Sequence, residues 1–505
     1  MKTFACLSVC VLLLSTMPLA AQTDVPQPAR TIITPTQYPT VVESLGAAVN
    51  SPQDDFAPAV IGGGRVLYFT TTRNGNQDVY STSKGDAQWS RAASVGNALN
   101  SRADEGGTAI TPDGKWMIFT GCNRSDGYGD CDLYMAENIG GSWTNVRNLG
   151  SRINSSAWES QPSISPDGSV LFFASDREGG RGGTDIWMSQ RRSDGSWEAP
   201  MNPGPRVNTG GDEAAPGIAA DNRTLYFSSN AHPGIGGFDI YRTIWSDGAW
   251  SIPEHAGTPM NSSDDDYFCG MFPGTDDVYF ASNRPGGSGG LDLYIATPNP
   301  LPPAAVTTVI GNVTDGGTKV PLGASLTVRD IKTNTLVATF HSSDVDGAYV
   351  VVLQAGRTYV ITAESAGYLF YSDRFEVPAL TRNNTLRKDI AMSRDMVRLL
   401  VYFDFDKSTL RPDSHVDLDR AVAWLASNSS LRVEVAGHTD NVGKYDYNVR
   451  LSHDRARAVY DYLIAKDVPA RQLSYKGYGP DQPISTNDSE DGRQLNRRVE
   501  FRVVK

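Results

Sequence analysis

Three polar side chains near the C-terminus have the types and the spacing of a binding site for a small charged group. Asp440 follows a predicted strand and lies in the loop entering a predicted helix, and that helix carries Asn448 and Arg455. Asn448 and Arg455 are seven residues apart, so they lie on one helical face. The Asp440 carboxylate could accept hydrogen bonds from a ligand ammonium group, and the Arg455 guanidinium could donate two parallel hydrogen bonds to a ligand carboxylate. Together they would bind the zwitterionic end of an amino acid.

The same spacing allows a simpler interpretation. Asp440 and Arg455 could form a salt bridge that only ties the loop to the helix, and on spacing alone this interpretation is favoured. His438 is interpreted as a packing and loop-orienting residue rather than a metal ligand or base, because the chain has six histidines and none forms a cluster with metal-ligand spacing.

An α/β pattern positions these residues after residue 394. Apolar strand patterns alternate with two amphipathic helix patterns, and the second helix has its apolar stripe at Leu451, Val459 and Leu463. Pro412 suits the first turn of the first helix. We predict strands at 397–405, 432–437, 473–478 and 499–504, and helices at 413–426 and 447–466.

This region resembles the OmpA-like peptidoglycan-binding domain over residues 397–505. The resemblance implies a domain at 394–505 that binds a peptidoglycan stem peptide noncovalently, and it reverses the preference for the simple salt bridge. It rests on an ordered series of motifs: Tyr402-Phe403-Asp404, Gly437-His438-Thr439-Asp440, Asn448, Leu451-Ser452 with Arg455-Ala456, Gly477-Tyr478-Gly479 and Asn496-Arg497-Arg498-Val499-Glu500.

The resemblance also assigns roles to residues. The two ligand-clamping positions of the family fall on Asp440 and Arg455, and the expected ligand is diaminopimelate, which has an ammonium and a carboxylate on one carbon. No cofactor and no metal are expected. The other expected pocket residues are Asn448, one of Arg497 or Arg498, and, through backbone groups, Asp404 and Thr439.

A fivefold repeat with a period of about fifty-three residues precedes this region. Each unit has an apolar strand such as Leu67-Tyr68-Phe69, a second strand such as Asp78-Val79-Tyr80 and a closing asparagine such as Asn100. The fifth unit lacks its last strand, which residues 41–50 match. We therefore predict a five-bladed β-propeller over 31–297 whose last blade takes its outer strand from the N-terminus. The units resemble PD40 repeats, a WD40-like propeller family of bacterial envelope proteins.

Two kinds of charged residue recur in the repeat. The aspartate before the second strand is predicted to cap a turn rather than bind calcium, because every unit has an equivalent copy. A recurring arginine is predicted to pair with an acid of its own blade, and its copies are Arg73, Arg124, Arg177 and Arg284.

Two segments connect the repeat to the C-terminal domain. Residues 298–303 are rich in proline and predict a stiff linker. Residues 304–393 alternate in short strands and resemble the carboxypeptidase-regulatory-like β-sandwich, on motifs such as Asp346-Gly347-Ala348-Tyr349 and Gly367-Tyr368. We expect this domain to be a spacer or docking module. The predicted fold is thus multidomain, with an all-β five-bladed propeller, a small β-sandwich and a C-terminal α/β domain.

The N-terminus has the pattern of an exported protein. Lys2, an apolar run through Leu14 and small residues at Ala20 and Ala21 predict a cleaved signal peptide over 1–21. The expected location is the periplasm, in association with the outer membrane and peptidoglycan. No later segment is long and apolar enough to cross a bilayer, and the net charge of −12 argues against nucleic acid as a partner.

Cysteines in an oxidising compartment tend to pair. Cys122 and Cys131 flank a loop rich in glycine and aspartate, and we predict a disulfide between them, with two unpaired thiols as the alternative.

Two other functions compete with attachment to the cell wall. Residues 286–290 match the G-x-S-x-G pattern of hydrolases, but they lie between two repeat strands and do not lead into a helix, so an enzyme is not expected. The domain order resembles PorE-type components of the type IX secretion system, whose helical repeats and lipid anchor are not found here, and such a role would make the chain a periplasmic scaffold. The propeller is expected to bind a protein partner.

Overall fold

Short strands separated by tight turns form most of the molecule. The computed structural model describes residues 39–504, apart from 62–63, 87, 193, 272–274, 334, 380–382, 395, 400, 402, 404–406 and 412–413. Strands account for 43% and helices for 10% of the residues, and the strands form several sheets. Residues from Thr40 onward form one compact unit, and the predicted signal peptide at 1–21 lies outside the described residues.

Five antiparallel sheets follow one another up to residue 297. β1 (Val41–Ser44) precedes them. The first sheet contains β2 (Asp55–Ile61), β3 (Val66–Thr71), β4 (Asp78–Ser83) and β5 (Ala93–Ser94), and the second contains β6 (Glu105–Ile110), β7 (Trp116–Cys122), β8 (Cys131–Ile139) and β9 (Ser142–Asn148). The third contains β10 (Glu159–Ile164), β11 (Val170–Ser175) and β12 (Asp185–Gln190), and the fourth contains β13 (Glu213–Ile218), β14 (Thr224–Ser229), β15 (Asp239–Ser246), β16 (Ala249–Trp250) and β17 (Glu254–His255). The fifth contains β18 (Asp266–Gly270), β19 (Val278–Ser282) and β20 (Asp292–Thr297).

These sheets make a ring of contacts. The first strand of each sheet contacts the first strand of the next, from β2 through β6, β10 and β13 to β18, and β18 contacts β2. β1 pairs antiparallel with β20, with Val42 opposite Ala296, so the N-terminal segment supplies the outer strand of the fifth sheet as expected. Each sheet is open, since no sheet within the described residues closes on itself.

The closing asparagine of each unit pairs with backbone groups of a strand. The Asn100 side chain accepts a hydrogen bond from the Val79 N–H and donates one to the Val79 carbonyl, both at 2.9 Å. Asn50 makes the same pair with Leu293, at 2.9 and 3.0 Å, and so connects β20 to the start of the array. Both asparagines are buried, and the backbone groups that they satisfy would otherwise cost free energy. The equivalent pairs are Asn154 with Leu133, Asn208 with Ile186 and Asn261 with Ile240.

Buried acids at the start of the first strands have arginine partners, which confirms that prediction. Arg73 Nη2 lies 2.7 Å from Asp55 Oδ1, and Arg284 Nη2 lies 2.6 Å from Asp266 Oδ1. The fourth sheet differs, because Ala231 stands at the arginine position, and the next residue, His232, places its Nε2 3.0 Å from the Val207 carbonyl oxygen. The two remaining pairs are Arg124 with Glu105 and Arg177 with Glu159, each at 3.0 Å.

Four of the five recurring aspartates cap turns by accepting from backbone N–H groups, as predicted, whereas Asp78 accepts from the side chains of Asn74 and Asn76. Asp292 Oδ2 accepts hydrogen bonds from the backbone N–H groups of Ser288, at 2.5 Å, and Gly289, at 3.0 Å. The hydrolase-like motif at 286–290 is therefore a turn that leads into β20, a strand. In the second sheet, Cys122 and Cys131 form a disulfide between β7 and β8.

Residues 306–392 form two four-stranded sheets that share one apolar core. The first sheet has the order β24-β21-β27 with β28 also beside β21, and the second has the order β23-β22-β25-β26. Their strands are β21 (Val306–Asp315), β22 (Ser325–Asp330), β23 (Leu336–His341), β24 (Ala348–Gln354), β25 (Arg357–Glu364), β26 (Tyr371–Val377), β27 (Asn384–Arg387) and β28 (Ile390–Met392).

The proline-rich segment 298–303 is held against the five-sheet array. Arg242 Nη1 donates a hydrogen bond to the Pro302 carbonyl at 2.8 Å, and the Ala304 N–H donates to Asp221 Oδ2 at 3.1 Å. Tertiary contacts therefore hold this segment in addition to the conformational restriction of its prolines.

The C-terminal region has one mixed sheet with helices packed on it. The sheet order is β29-β32-β30-β31, in which the pairing of β30 with β31 is parallel. None of the helices in the described part of the chain combines the length and apolar character that a membrane span requires. The elements are β29 (Met396–Leu399), α1 (His415–Ser427), β30 (Arg432–Gly437), α2 (Tyr445–Ala465), β31 (Leu473–Gly477), α3 (Glu490–Asn496) and β32 (Val499–Val504).

Some predicted element bounds in this region differ from those in the structure. β29 is Met396–Leu399, and residues 400, 402, 404 and 405 of the strand predicted at 397–405 lie outside the described residues. α1 begins at His415 with Ser414 as its N-cap, and the predicted start at 413 also lies outside the described residues. α2 begins at Tyr445, two residues earlier than predicted, where Asp446 in the first turn complements the positive end of the helix. α3 was not predicted, because it is short and contains Gly492, a poor helix former.

Candidate functional site

Glycines at the ends of β30 and β31 allow α2 to approach the sheet closely. A Cβ on Gly437 would lie 2.1 Å from the Ser452 carbonyl oxygen, and a Cβ on Gly477 would lie 2.3 Å from the His453 nitrogen. Only glycine fits at these two positions without moving the helix backbone. The first half of α2 therefore lies against the strand ends from which the loop at 438–444 leaves.

Asp440 is fixed at both carboxylate oxygens. Its Oδ1 accepts a hydrogen bond from the Val442 N–H at 3.0 Å, and its Oδ2 lies 2.6 Å from Arg497 Nη1. Asp440 is 8% exposed. Among the described residues its ion-pair partner is Arg497 and not Arg455, so the simple salt bridge between Asp440 and Arg455 does not form.

Arg497 is itself held by α3. Its Nη2 lies 2.6 Å from Glu490 Oε1 and also donates to the Gln494 side chain. Burial lowers the pKa of Arg497, but its hydrogen bonds to Glu490 and Asp440 outweigh burial and raise that pKa. Arg497 therefore stays charged and joins the Asp440 loop to α3.

Arg498, the alternative candidate, points into a different buried network. Its Nε lies 2.6 Å from Glu500 Oε1, and Glu500 is 1% exposed. Arg502 Nη2 lies 2.7 Å from Glu500 Oε2, and His438 Nε2 lies 3.4 Å from the same oxygen. Burial alone would raise the pKa of Glu500, yet hydrogen bonds from His438 and Arg502 and the charge of Arg498 hold it well below its usual value.

His438 has the packing role expected of it. It is fully buried, and its ring stacks on Tyr478 with 5.5 Å between ring centroids. Burial lowers the pKa of His438. Its backbone N–H donates to the Arg498 carbonyl at 2.9 Å, which ties the start of the Asp440 loop to the strand beside it.

Asn448 and Arg455 are both buried on α2, as their shared helical face predicts. Asn448 Nδ2 donates to the Val442 carbonyl at 3.0 Å, so Asn448 holds the loop that carries Asp440. Arg455 Nε donates to the Lys407 carbonyl at 3.1 Å, and its guanidinium carbon lies 5.0 Å from the centre of the Phe403 ring. The aromatic face and the carbonyl together orient the Arg455 guanidinium.

Thr439 has both a held backbone and a buried hydroxyl. Its N–H donates to the Gly479 carbonyl at 3.0 Å. Thr439 is 4% exposed, and its Oγ1 has no hydrogen-bond partner within the described residues. A buried hydroxyl without a partner is costly unless a ligand or water satisfies it. Asp404, the remaining predicted residue, lies outside the described residues.

The sequence did not predict a role for three residues that contribute to this site. The first is Phe403, which belongs to the Tyr402-Phe403-Asp404 motif but was not assigned to the site. Glu490 begins α3 and Arg497 directly follows its end, so a helix predicted over these seven residues would have suggested that the two side chains lie close together. Gln494 is the third contributor and shares α3 with Glu490. Within the described residues, no group of three or more His, Cys, Asp or Glu side chains is arranged to hold a metal ion.

Comparison with known proteins identifies the family of this domain. The OmpA family matches residues 402–497. The C-terminal domain is an OmpA-family domain. Outer membrane porin F of Pseudomonas fluorescens is 42% identical over 107 residues, which are 21% of this chain and 33% of that protein. A peptidoglycan-associated lipoprotein of Rhizobium meliloti is 34% identical over 99 residues, which are 20% of this chain and 56% of that protein.

A solved structure also matches the OmpA-family domain. The crystal structure of the peptidoglycan-associated lipoprotein from Burkholderia pseudomallei is 26% identical, covers 22% of this chain and 90% of its own, and has a TM-score of 0.20. This chain thus spans about a third of porin F and just over half of the Rhizobium lipoprotein.

Proposed function

We propose that this chain binds peptidoglycan noncovalently through its OmpA-family domain and is held by it at the cell wall, in the periplasm near the outer membrane. The names of its relatives support this proposal, since they include a peptidoglycan-associated lipoprotein and outer membrane proteins. The observation that carries it is the Asp440 carboxylate, fixed by Arg497 beside the buried Thr439 hydroxyl, which has no hydrogen-bond partner among the described residues.

The proposed ligand is the zwitterionic centre of diaminopimelate in a stem peptide. Asp440 accepts hydrogen bonds from the ammonium group, and the charge makes these bonds stronger than neutral ones. Arg455, oriented by Phe403 and the Lys407 carbonyl, forks onto the carboxylate. Asn448 keeps the loop in place, and the buried Thr439 hydroxyl beside Asp440 contributes a further polar group.

We infer that the five sheets are the blades of a five-bladed β-propeller. The ring of contacts among the first strands supports this inference, as does the pairing of β1 with β20. In this interpretation residues 306–392 are a spacer domain between the propeller and the wall-binding domain. We propose the role of a scaffold rather than of an enzyme, and the place of Ser288 of the hydrolase-like motif in a turn whose N–H groups bond to Asp292 supports this.

Co-sedimentation of the purified chain with isolated cell-wall sacculi tests the wall-binding proposal. Asp440→Asn and Arg455→Lys should each leave most of the protein in the supernatant. Asp461→Asn and Arg457→Lys are matched controls on α2, where those two side chains are 61% and 62% exposed. Sedimentation of the site variants at the wild-type level, with intact folding, would refute the proposal.

A further inference from the structure

The first strands of the five sheets surround a cavity of about 160 Å³. One end of this cavity is lined by Pro302, Val306 and Asn383, which belong to the proline-rich segment and the domain after it. Asn383 Nδ2 donates to the Thr275 carbonyl at 3.1 Å, just beyond the C-terminal end of β18. The domain at 306–392 therefore covers the cavity where the first strands end.

The opposite end, where the first strands begin, has two adjoining hollows. Both are lined by Phe56, Gln161 and Phe268, and we call these three residues the channel mouth. The rings of Phe56 and Phe268 stack with 5.7 Å between their centroids. The same Gln161 and Phe268 also line the cavity, so the hollows and the cavity adjoin.

Acidic and aromatic side chains surround the channel mouth. Asp54, Asp265 and Tyr267 line one hollow, and Asp104 and Trp158 line the other. No lysine or arginine of the described part of the chain lines either hollow. Burial raises the pKa of Tyr267, and the negative charge of Asp265 raises it further, as expected where carboxylates concentrate.

Hydrogen bonds hold the aspartates around the mouth in place, and Asp265 accepts them at both carboxylate oxygens. Asp54 Oδ1 accepts a hydrogen bond from the Leu291 N–H at 2.9 Å, and Asp104 Oδ1 accepts one from the Gln77 N–H at 2.8 Å. Both aspartates are partly exposed. Their negative charges are therefore fixed in position before any partner arrives, which reduces the entropy that binding must overcome.

A buried hydroxyl deeper in the channel also lacks a partner. Thr108 lines the cavity and is 7% exposed, and its Oγ1 has no hydrogen-bond partner within the described residues. An unsatisfied hydroxyl on the wall of a cavity is a site for a polar group that enters from the mouth. The cavity therefore offers a polar contact in addition to the charges outside it.

We propose that the channel mouth binds an extended peptide segment of a partner protein that carries lysine or arginine side chains. The aspartates pair with the cationic groups, and the rings of Phe56, Phe268 and Trp158 contact the aliphatic stems and the charges through cation–π interactions. Thr108 satisfies a polar group that reaches into the cavity. Charge complementarity of this kind would give specificity and fast, salt-sensitive association.

Fluorescence anisotropy tests this proposal with the full chain in the absence of peptidoglycan. The probe is a labelled short peptide of alternating lysine and serine, compared with the peptide in which glutamate replaces lysine. The lysine peptide should bind, with an affinity that falls as salt is added, and the glutamate peptide should not. Asp54→Asn combined with Asp265→Asn should weaken binding by roughly tenfold or more.

The controls separate this proposal from the wall-binding proposal. Asp54→Asn keeps an oxygen that can accept from the Leu291 N–H, so the loop should keep its shape. Asp86→Asn with Asp247→Asn removes the same amount of charge from exposed turns and should leave binding unchanged, as should Asp440→Asn. Absence of binding by the lysine peptide, or equal binding by the mouth variant and wild type, would overturn the channel-mouth proposal and leave wall binding unaffected.

Discussion

Arg497 Nη1 lies 2.6 Å from Asp440 Oδ2, an ion pair between residues 57 positions apart in the sequence. Asp440 is buried, and Arg497 also bonds to Glu490 and Gln494 of α3. Arg497 thus fixes the orientation of the Asp440 carboxylate, which is proposed to bind the ligand. This relationship makes Arg497 a positioning residue for the site.

Substitution of Arg497 should weaken ligand binding without unfolding the domain. Arg497→Ala removes the ion pair that holds Asp440 Oδ2 and its link to α3, so the carboxylate is no longer held in one orientation and ligand affinity should fall by roughly tenfold. Arg497→Lys keeps the charge but loses the fork, so it should recover only part of the affinity. Calorimetric titration with a soluble muropeptide measures the affinities, which should decrease from wild type through Arg497→Lys to Arg497→Ala. Wild-type affinity in Arg497→Ala would show that Asp440 needs no such support.

Acid should destabilise the C-terminal domain in two steps. His438 has a lowered pKa when folded, so its protonation favours the unfolded chain as the pH falls below about 6.5. Glu500 has a depressed pKa when folded, so its contribution to stability is complete above about 4.3 and is lost as the pH falls below that value. Hydrogen exchange of β32 amides across this pH range measures both steps.

Glu500→Gln isolates the second of these steps. It leaves Arg498 and Arg502 without their buried partner and should lower the free energy of unfolding near neutral pH by about 3–5 kcal/mol. Its stability should also depend less on pH below about 4.3. Asp461→Asn, at an exposed position, is the control. A steep acid loss that persists in Glu500→Gln would assign the dependence to other groups.

Closure of the sheet array should depend on Gly289. A Cβ at this position would lie 2.0 Å from the Gln53 carbonyl oxygen, where the fifth sheet meets the N-terminal segment. Gly289→Ala should therefore lower stability by about 1–3 kcal/mol, the usual cost of overpacking. Gly210→Ala is the matched control, because nothing lies within 4 Å of its Cβ position. Chemical denaturation compares the unfolding midpoints of the two variants. Equal midpoints would argue against the close approach of Gly289 to the Gln53 carbonyl oxygen.

The disulfide should stabilise the second sheet. Cys122 and Cys131 are nine residues apart, and a cross-link that closes a loop of this size contributes about 2–3 kcal/mol in the chain-entropy account. Reduction, or the double change Cys122→Ser and Cys131→Ser, should lower the melting temperature and make the loop between β7 and β8 more sensitive to protease. Identical melting of oxidised and reduced protein would contradict this expectation.

Local pattern predicted the elements around the site better than the contacts between them. β30 and β32 have the predicted bounds, and Asn448 and Arg455 share the buried face of α2, because periodicity and burial are local properties. The partner of Asp440 was not predictable from spacing, because α3 and the sheet register bring Arg497 to it from far along the chain. For the same reason the sequence left Arg497 and Arg498 as alternative residues of the site. The structure distinguishes them, because Arg498 pairs with Glu500 and Arg497 with Asp440.

In the N-terminal array too, the elements were predictable from the sequence and the contacts between distant segments were not. Its strands and closing asparagines were visible as a period, and the pairing of Asn50 with Leu293 follows from that period. The cover over one end of the central cavity was not visible, since it depends on how Asn383 and the proline-rich segment contact strand ends distant in sequence.

The most direct measurement is calorimetric titration of the full chain with two stem peptides that differ at one residue, diaminopimelate in one and lysine in the other. Lysine keeps the amino group at the end of its side chain but lacks the carboxylate proposed to meet Arg455. The wild-type chain should bind the diaminopimelate peptide clearly and lose most of its affinity for the lysine peptide, and Arg455→Lys should bind the two peptides equally. Equal affinity of the wild-type chain for both peptides would contradict recognition of a zwitterion at this site.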